Sequence, residues 1–318
     1  SAPGWPIWIN PLGWRTETKP ASGNNWWPLL PAVLLTIVLL VVAFVLQSRR
    51  DFGVGAIAPR PGPARGTTRS TLRLALRINR GLLITWTIAF LALGLVFGYF
   101  TTSIHDILGS NTAVQHVLAA GATTPEALVG AFVVPVLSLV GIIASVSGVQ
   151  VMLKVRSEEL EDRVEPVIAA GATRSRYYAS NVLVALLMPS WCLLVAGTLI
   201  ATLASTANIG VTFGDVLLQA VATVPAVWTV VAVSIAVVGA RPHVALAAWI
   251  GVLLSFALTL LGPTFKLWDW ILAISPFWHV PNVTLADANW VGLLWISLVT
   301  VLFIVIGFVG FRRRDLAQ

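Results

Sequence analysis

Seven uncharged apolar stretches, at 27–47, 81–101, 129–151, 182–204, 216–239, 244–261 and 290–310, constrain this 318-residue chain more than any other feature. Each is close to or above the roughly 20 residues that a helix needs to cross a hydrocarbon layer of about 30 Å. Inside such a layer every backbone donor and acceptor must be paired, which leaves helices or a closed barrel. Runs this continuous lack the alternation of a barrel strand, so helices are expected throughout. Composition agrees: 10% of the residues are charged and 57% hydrophobic, against about 25% charged in a soluble domain. Too few charges remain to solvate a globular surface, which excludes a soluble enzyme. The fold class is therefore all-α and polytopic, with seven transmembrane helices.

The loops give an orientation. Residues 48–80 hold eight Arg, 152–181 hold five Lys or Arg, position 241 holds one and 311–318 hold three, whereas Arg15, Lys19 and Lys266 fall on the opposite side. Basic loops stay in the cytoplasm, so Ser1 is expected outside and the C-terminus inside. Nine of the fourteen Trp (Trp5, Trp8, Trp14, Trp26, Trp27, Trp268, Trp270, Trp278 and Trp290) cluster in or beside the outer segments, as an interfacial belt does. The same distribution explains the net charge of +7 without nucleic acid. Pro31, Pro135, Pro189 and Pro225 interrupt spans and read as packed kinks, with a gating hinge as the alternative.

Several chemistries are missing. The lone Cys192 excludes a disulfide framework, and His105, His116, His243 and His279 show no metal-ligand spacing. The span cores carry no Asp, Glu, Lys, Arg or His, the groups that proton- or sodium-coupled carriers place at mid-membrane. None of the three lysines stands in a GxxxxGK[ST] phosphate loop. A solute pump built on this chain therefore draws its energy from a separate subunit.

The beginning of the chain resembles its end. Ile9-Asn10-Pro11-Leu12-Gly13-Trp14, a span opening at Trp26-Trp27 and a stop at Arg49-Arg50-Asp51 are matched late in the chain. The counterparts are Ser275-Pro276-Phe277-Trp278-His279, a span opening at Trp290 and a stop at Arg312-Arg313-Arg314-Asp315. Pro276 lies 265 positions beyond Pro11, and Asp315 lies 264 beyond Asp51. A basic stop follows any inward-going helix, but the matched outer segment points to duplication, which is common in transporters. The expected division is residues 1–47 as an outer segment and the last helix of a first half. Residues 48–80 then form a cytoplasmic linker, and 81–318 a complete six-helix half. A complete polypeptide is then expected to run to roughly twice the repeat period.

Two cytoplasmic segments stand out. After a Pro-rich stretch (Pro59, Pro61, Pro63), Arg69, Arg73, Arg77 and Arg80 recur at helical spacing, with Leu72, Leu76 and Ile78 on other faces. Such a helix lies in the inner headgroup layer, facing anionic lipid or acting only as an elbow into the next span. Further on, Glu158, Glu159, Glu161, Asp162 and Glu165 place five of the thirteen acidic residues within eight positions. The helical period puts Glu158, Asp162 and Glu165 on one face, and Leu160, Val164, Val167 and Ile168 on an apolar one. Residues 169–173 then turn, and Arg174 and Arg176 open the next helix. The acidic helix reads equally as a docking element for a soluble partner or as a solvated surface helix neutralised by its own Arg.

The loop 156–181, above all Glu165-Pro166-Val167-Ile168-Ala169-Ala170-Gly171-Ala172-Thr173-Arg174-Ser175-Arg176, resembles the loop after the second helix in permeases of type-2 ATP-binding-cassette exporters. The outer segments and the Arg50-Asp51 and Arg314-Asp315 endings resemble the fused twin-half antibiotic and multidrug branch, the tetronasin-resistance type. That resemblance covers the whole chain as the family's C-terminal portion. It implies a permease of the bacterial cytoplasmic membrane that exports hydrophobic or amphipathic compounds. Two separate nucleotide-binding subunits are implied beneath it, holding ATP and Mg, with no cofactor on this chain. It further implies that Glu158, Glu159, Glu161, Asp162, Arg163 and Glu165 contact the ATPase, with Pro166 ending the contact turn. Residues 268–279, with Trp268, Trp270, Pro276, Phe277 and Trp278, become a re-entrant roof. The family's pathway follows the second and fifth helices of each half, here 129–151 and 244–261, making Phe132, Ser138, Ser145, Phe256 and Thr259 candidate lining residues. For each of these, interhelix packing is the plainer alternative.

Other readings of the same pattern are a seven-helix receptor or sensor, a secondary transporter and an intramembrane lipid transferase. The duplicated ends argue against the first. The absence of mid-membrane ionisable groups argues against the second, and the dispersal of His105, Asp106 and His116 against the third.

Overall fold

The computed structural model describes residues 11–19, 23, 25–48, 70–110, 125–206, 212–283 and 288–313, with the side chains of 11, 12, 16, 102–110 and 125–132 excluded. Arg69, the linker prolines, and the Arg50-Asp51 and Arg314-Asp315 endings lie outside the described residues. The chain forms two compact units, Ser1–Thr67 and Thr68–Gln318. Among the described residues all regular structure is helical, and seven helices are long and apolar enough to cross a membrane.

The first unit contains α1 (Pro11–Glu17) and α2 (Leu29–Ser48). Thr18 closes α1 by donating to the Arg15 carbonyl (2.6 Å). α2 is apolar on every side and buries none of its residues. A helix hydrophobic all round needs an apolar solvent or a partner of the same kind.

The second unit opens with α3 (Thr71–Ile78), whose N-cap Ser70 accepts from the Arg73 N–H (3.2 Å). Asn79 separates it from α4 (Arg80–Ser110) and donates from Nδ2 to the Ala75 carbonyl (2.9 Å). There follow α5 (Pro125–Leu160), the short α6 (Glu165–Ala169), α7 (Arg174–Thr206) and α8 (Phe213–Ala240). α8 begins with a reciprocal cap: Thr212 Oγ1 accepts from the Asp215 N–H (3.2 Å), and Asp215 Oδ2 accepts from the Thr212 N–H (3.1 Å). The last spanning helix is α11 (Val291–Arg313). Pro135, Pro189 and Pro225 all lie inside helices.

The span expected at 244–261 is irregular. Residues Pro242–Trp249 wind as a 3-10 helix with Val244 off the helical region, α9 (Ile250–Phe256) is regular, and Ala257–Leu261 widens into a π turn. Hydropathy reports length and greasiness, not winding, so Pro242 is the one readable warning. The neighbouring expectations were too short for a different reason. α4 and α5 run past the apolar stretches into polar sequence, because a helix does not end where its side chains become soluble.

α8 is the central helix, packed against α5, α7 and α11. Without a hydrophobic drive between helices in lipid, close packing and interhelix hydrogen bonds hold such a bundle. At Gly239 a Cβ would run into the Gly307 carbonyl, and at Gly307 one would lie 2.7 Å from the Ile235 carbonyl oxygen. Only glycine permits that approach. Beside it the Tyr178 hydroxyl donates to the Ile235 carbonyl (2.6 Å), and its ring stacks on Phe311 at 4.4 Å. Thr229 and Thr300 pair across the same interface at 2.8 Å, Trp86 donates to Gln150 (2.9 Å), and Trp228 donates to Ser190 (2.8 Å).

Candidate functional site

The loop joining α5 to α7 is built from two successive helix-stop motifs. At the end of α5 the Asp162 N–H donates to the Glu159 carbonyl (3.1 Å) and the Arg163 N–H to the Glu158 carbonyl (3.0 Å). This is the Schellman pattern, which requires a left-handed residue, and Asp162 supplies it with φ +56°. Aspartate tolerates that region better than most residues. At the end of α6 the Gly171 N–H donates to Ile168 (2.9 Å) and the Ala172 N–H to Val167 (3.4 Å), with Gly171 at φ +93°. Thr173 Oγ1 then accepts from the Arg176 N–H (3.3 Å) and starts α7. Most backbone N–H groups from Glu161 to Ala172 are thus committed, and the loop is a folded knuckle.

This geometry corrects the expectation of one acidic helix. α5 stops at Leu160, so Glu158, Asp162 and Glu165 do not share a helical face. Pro166 opens α6 rather than ending a turn, a position where proline's missing N–H costs nothing. Leu160 is exposed instead of joining the apolar side, while Val164 is buried and Val167 and Ile168 pack beside it on the core.

The charges are sorted by the same geometry. Glu159 points inward, 6% exposed, and pairs with Arg156 at 3.5 Å. Arg163 reaches Glu158 (3.5 Å) and Glu161, while Ser157 donates to Glu161 (3.1 Å). Exposed pairs of this kind contribute about 0–1 kcal/mol each. Glu161, Asp162, Arg163, Glu165 and Pro166 form the exposed crest, with Glu158 half-buried behind it. Sequence spacing could not separate Glu159 from its neighbours, since the left-handed residue that turns the chain comes after it.

Two hydrogen bonds tie α3 to both sides of this loop. Thr71 and Ser180 of α7 share a hydrogen bond at 2.7 Å, and Lys154 of α5 donates from Nζ to the Ile78 carbonyl (2.9 Å). Lys154 had counted only as a basic loop residue; its distance from Ile78 along the chain hid the contact. Ala75 and Leu72 face the core, and Arg73, Arg77 and Arg80 are exposed.

At the far end of the bundle, α10 (Asp269–Leu272) and the 3-10 turn Pro276–His279 hold the segment expected as a roof. Phe277 is buried, within reach of Gly141 on α5 and in one core cluster with Val227 on α8, and Pro276 is half-buried. Trp268, Trp270 and Trp278 are exposed. Ser275 Oγ pairs with Thr259 at 3.0 Å, anchoring the π turn, and His279 Nε2 is 2.8 Å from the Ala273 carbonyl oxygen. Gln219, buried inside α8, donates to the Pro281 carbonyl (3.0 Å) and accepts from the Val283 N–H (3.0 Å). A glutamine in an apolar run marks such a latch, and the sequence reading passed over it.

The candidate pathway residues lie in different surroundings. Ser138 and Ser145 are buried, and Ser145 donates to Ile142 of its own helix (2.6 Å). Phe256 is exposed and Thr259 half-buried against Ser275, while the Phe132 side chain lies outside the described residues.

Residues 69–312 match the family model described as the multidrug efflux system permease Rv1217c, C-terminal domain. The multidrug efflux system permease protein Rv1217c of Mycobacterium tuberculosis (strain ATCC 25618 / H37Rv) is 36% identical over 324 aligned residues, covering 97% of this chain and 57% of that protein. The chain thus spans little more than half the length of this relative. The match supports the resemblance at the level of a multidrug efflux permease. On that match the chain belongs to the family of the Rv1217c multidrug efflux permease C-terminal domain.

Proposed function

We propose that this chain is the membrane permease portion of a type-2 ATP-binding-cassette exporter, of the fused twin-half, tetronasin-resistance-type branch. It resides in the bacterial cytoplasmic membrane, with Ser1 outside and the α5–α7 loop in the cytoplasm. Residues 1–47 are the outer segment and last helix of a first half, and 81–318 form the second half. Two separate nucleotide-binding subunits hold ATP and Mg beneath the loop. Closure of those subunits pushes the knuckle, which tilts α5 and α7 together, and a hydrophobic or amphipathic compound leaves outward.

The observation that carries this reading is the construction of the α5–α7 loop. Its crest of Glu161, Asp162, Arg163 and Glu165 is exposed on a turn held by two successive helix-stop motifs. A docking element that transmits force must be stiff, and its charges must face a partner. Family membership supports the same reading. Glu159, turned inward toward Arg156, holds the knuckle's base instead of touching the partner.

The test is co-purification of an affinity-tagged permease with its ATPase subunit. Glu161→Lys and Glu165→Lys, combined, are expected to abolish the association while the permease itself is retained in the membrane. Undiminished association with both charges reversed would remove the loop from the interface.

A further inference from the structure

Between α3 and the α6–α7 turn lies an open cleft of about 480 Å³, lined by Ser70, Thr71 and Leu74 on one side and by Pro166, Val167 and Arg176 among others on the facing side. Among the described residues no acidic one lines it. Arg176 on its wall is exposed, Arg73 and Arg77 continue the positive charge along α3, and Arg80 opens α4. Among the described residues the ion pairs are made by Arg156, Arg163 and Lys19, and none involves these four arginines. Leu76, between Arg73 and Arg77, is 45% exposed, so the same helix presents both guanidinium groups and an apolar side chain outward.

We infer that this cleft binds the phosphate headgroup of an anionic phospholipid. Arg176 and Arg73 meet the phosphate, and Leu74, Pro166 and Val167 form an apolar wall for the glycerol and the first acyl carbons. Free phosphate has no use for that wall. An anionic membrane surface attracts basic side chains, so Arg176 on the wall, with Arg73 beside the lining residues of α3, selects anionic over zwitterionic lipid. The inference rests on the proposed orientation, which places this end of the bundle at the inner leaflet. It also carries a consequence for coupling. The lipid would bridge α3 to the knuckle that Thr71–Ser180 and Lys154–Ile78 already tie to it, so headgroup occupancy biases the position of the loop.

The experiment uses the full-length permease with its ATPase subunits in detergent, and native mass spectrometry of added short-chain phosphatidylglycerol or phosphatidylcholine. Phosphatidylglycerol is expected to bind in preference, and the double variant R73Q/R176Q to lower its affinity about tenfold or more. R73K/R176K, which keeps the charge, is expected to retain binding, and R312Q, on α11, to leave it unchanged. Equal phosphatidylglycerol affinity in the Gln and Lys double variants overturns the site. Competition by inorganic phosphate at equal concentration overturns the lipid as its ligand. Sidedness is read separately: if A170C is labelled by an impermeant maleimide from outside intact cells, the orientation fails, whatever the lipid result.

Discussion

α2 and α11 follow similar outer segments in the sequence, yet within this chain they have different neighbours. Both follow a Pro- and Trp-bearing segment, and both run about as far before a basic stop. α11 buries Ile296, Thr300, Gly307 and Phe311, whereas α2 buries nothing. The two helices also differ in their small residues. α11 carries Gly292, Gly307 and Gly310; at Gly292 a Cβ would lie 2.5 Å from the His279 carbonyl oxygen, and at Gly310 one would lie 2.5 Å from the Ala240 Cα. α2, from Leu29 to Ser48, has no glycine at all. A shared period places a helix in a membrane; small residues decide which backbone it can approach.

The largest effect expected from this contrast is at Gly307. Gly307→Leu forces α8 and α11 apart and should cost about 3 kcal/mol, by the overpacking that close interfaces do not absorb. Thermal unfolding in detergent reads it as a large loss of stability, and a wild-type midpoint would dissolve the contrast. Tyr178→Phe is the intermediate case. It removes the donor to Ile235 but keeps the stacking on Phe311, so about 1–2 kcal/mol should be lost in the same assay. Ala43→Leu on α2 is the small end: its side chain is exposed in this chain, so with residues 1–318 purified by themselves the change should stay within about 0.5 kcal/mol. A loss at Ala43 as large as that at Gly307 in the same sample would break the contrast.

Much of the architecture was legible because a bilayer narrows the options. Long apolar runs had to be helices, and each of the seven expected stretches corresponds to a candidate span. What escaped was decided by contacts distant in sequence or by one backbone angle. The acidic segment looked like a continuous helix because its period is sound through Glu165. Asp162 in the left-handed region breaks it, and Pro166 one residue beyond Glu165 was the readable hint, since proline favours a helix start. The Lys154 tie to Ile78 and the Gln219 latch on Pro281 and Val283 join residues more than fifty positions apart, which no local pattern encodes. The irregular winding of Pro242–Leu261 was hidden for the opposite reason: its composition is that of any span.

Under the proposed function this bundle is driven through the crest of the α5–α7 loop. The direct measurement is compound-stimulated ATP hydrolysis by the permease and its ATPase subunits reconstituted in vesicles, comparing wild type with E161K/E165K. Stimulation is expected to vanish in the variant while the basal hydrolysis of the isolated ATPase persists. Full stimulation with both charges reversed would contradict the account.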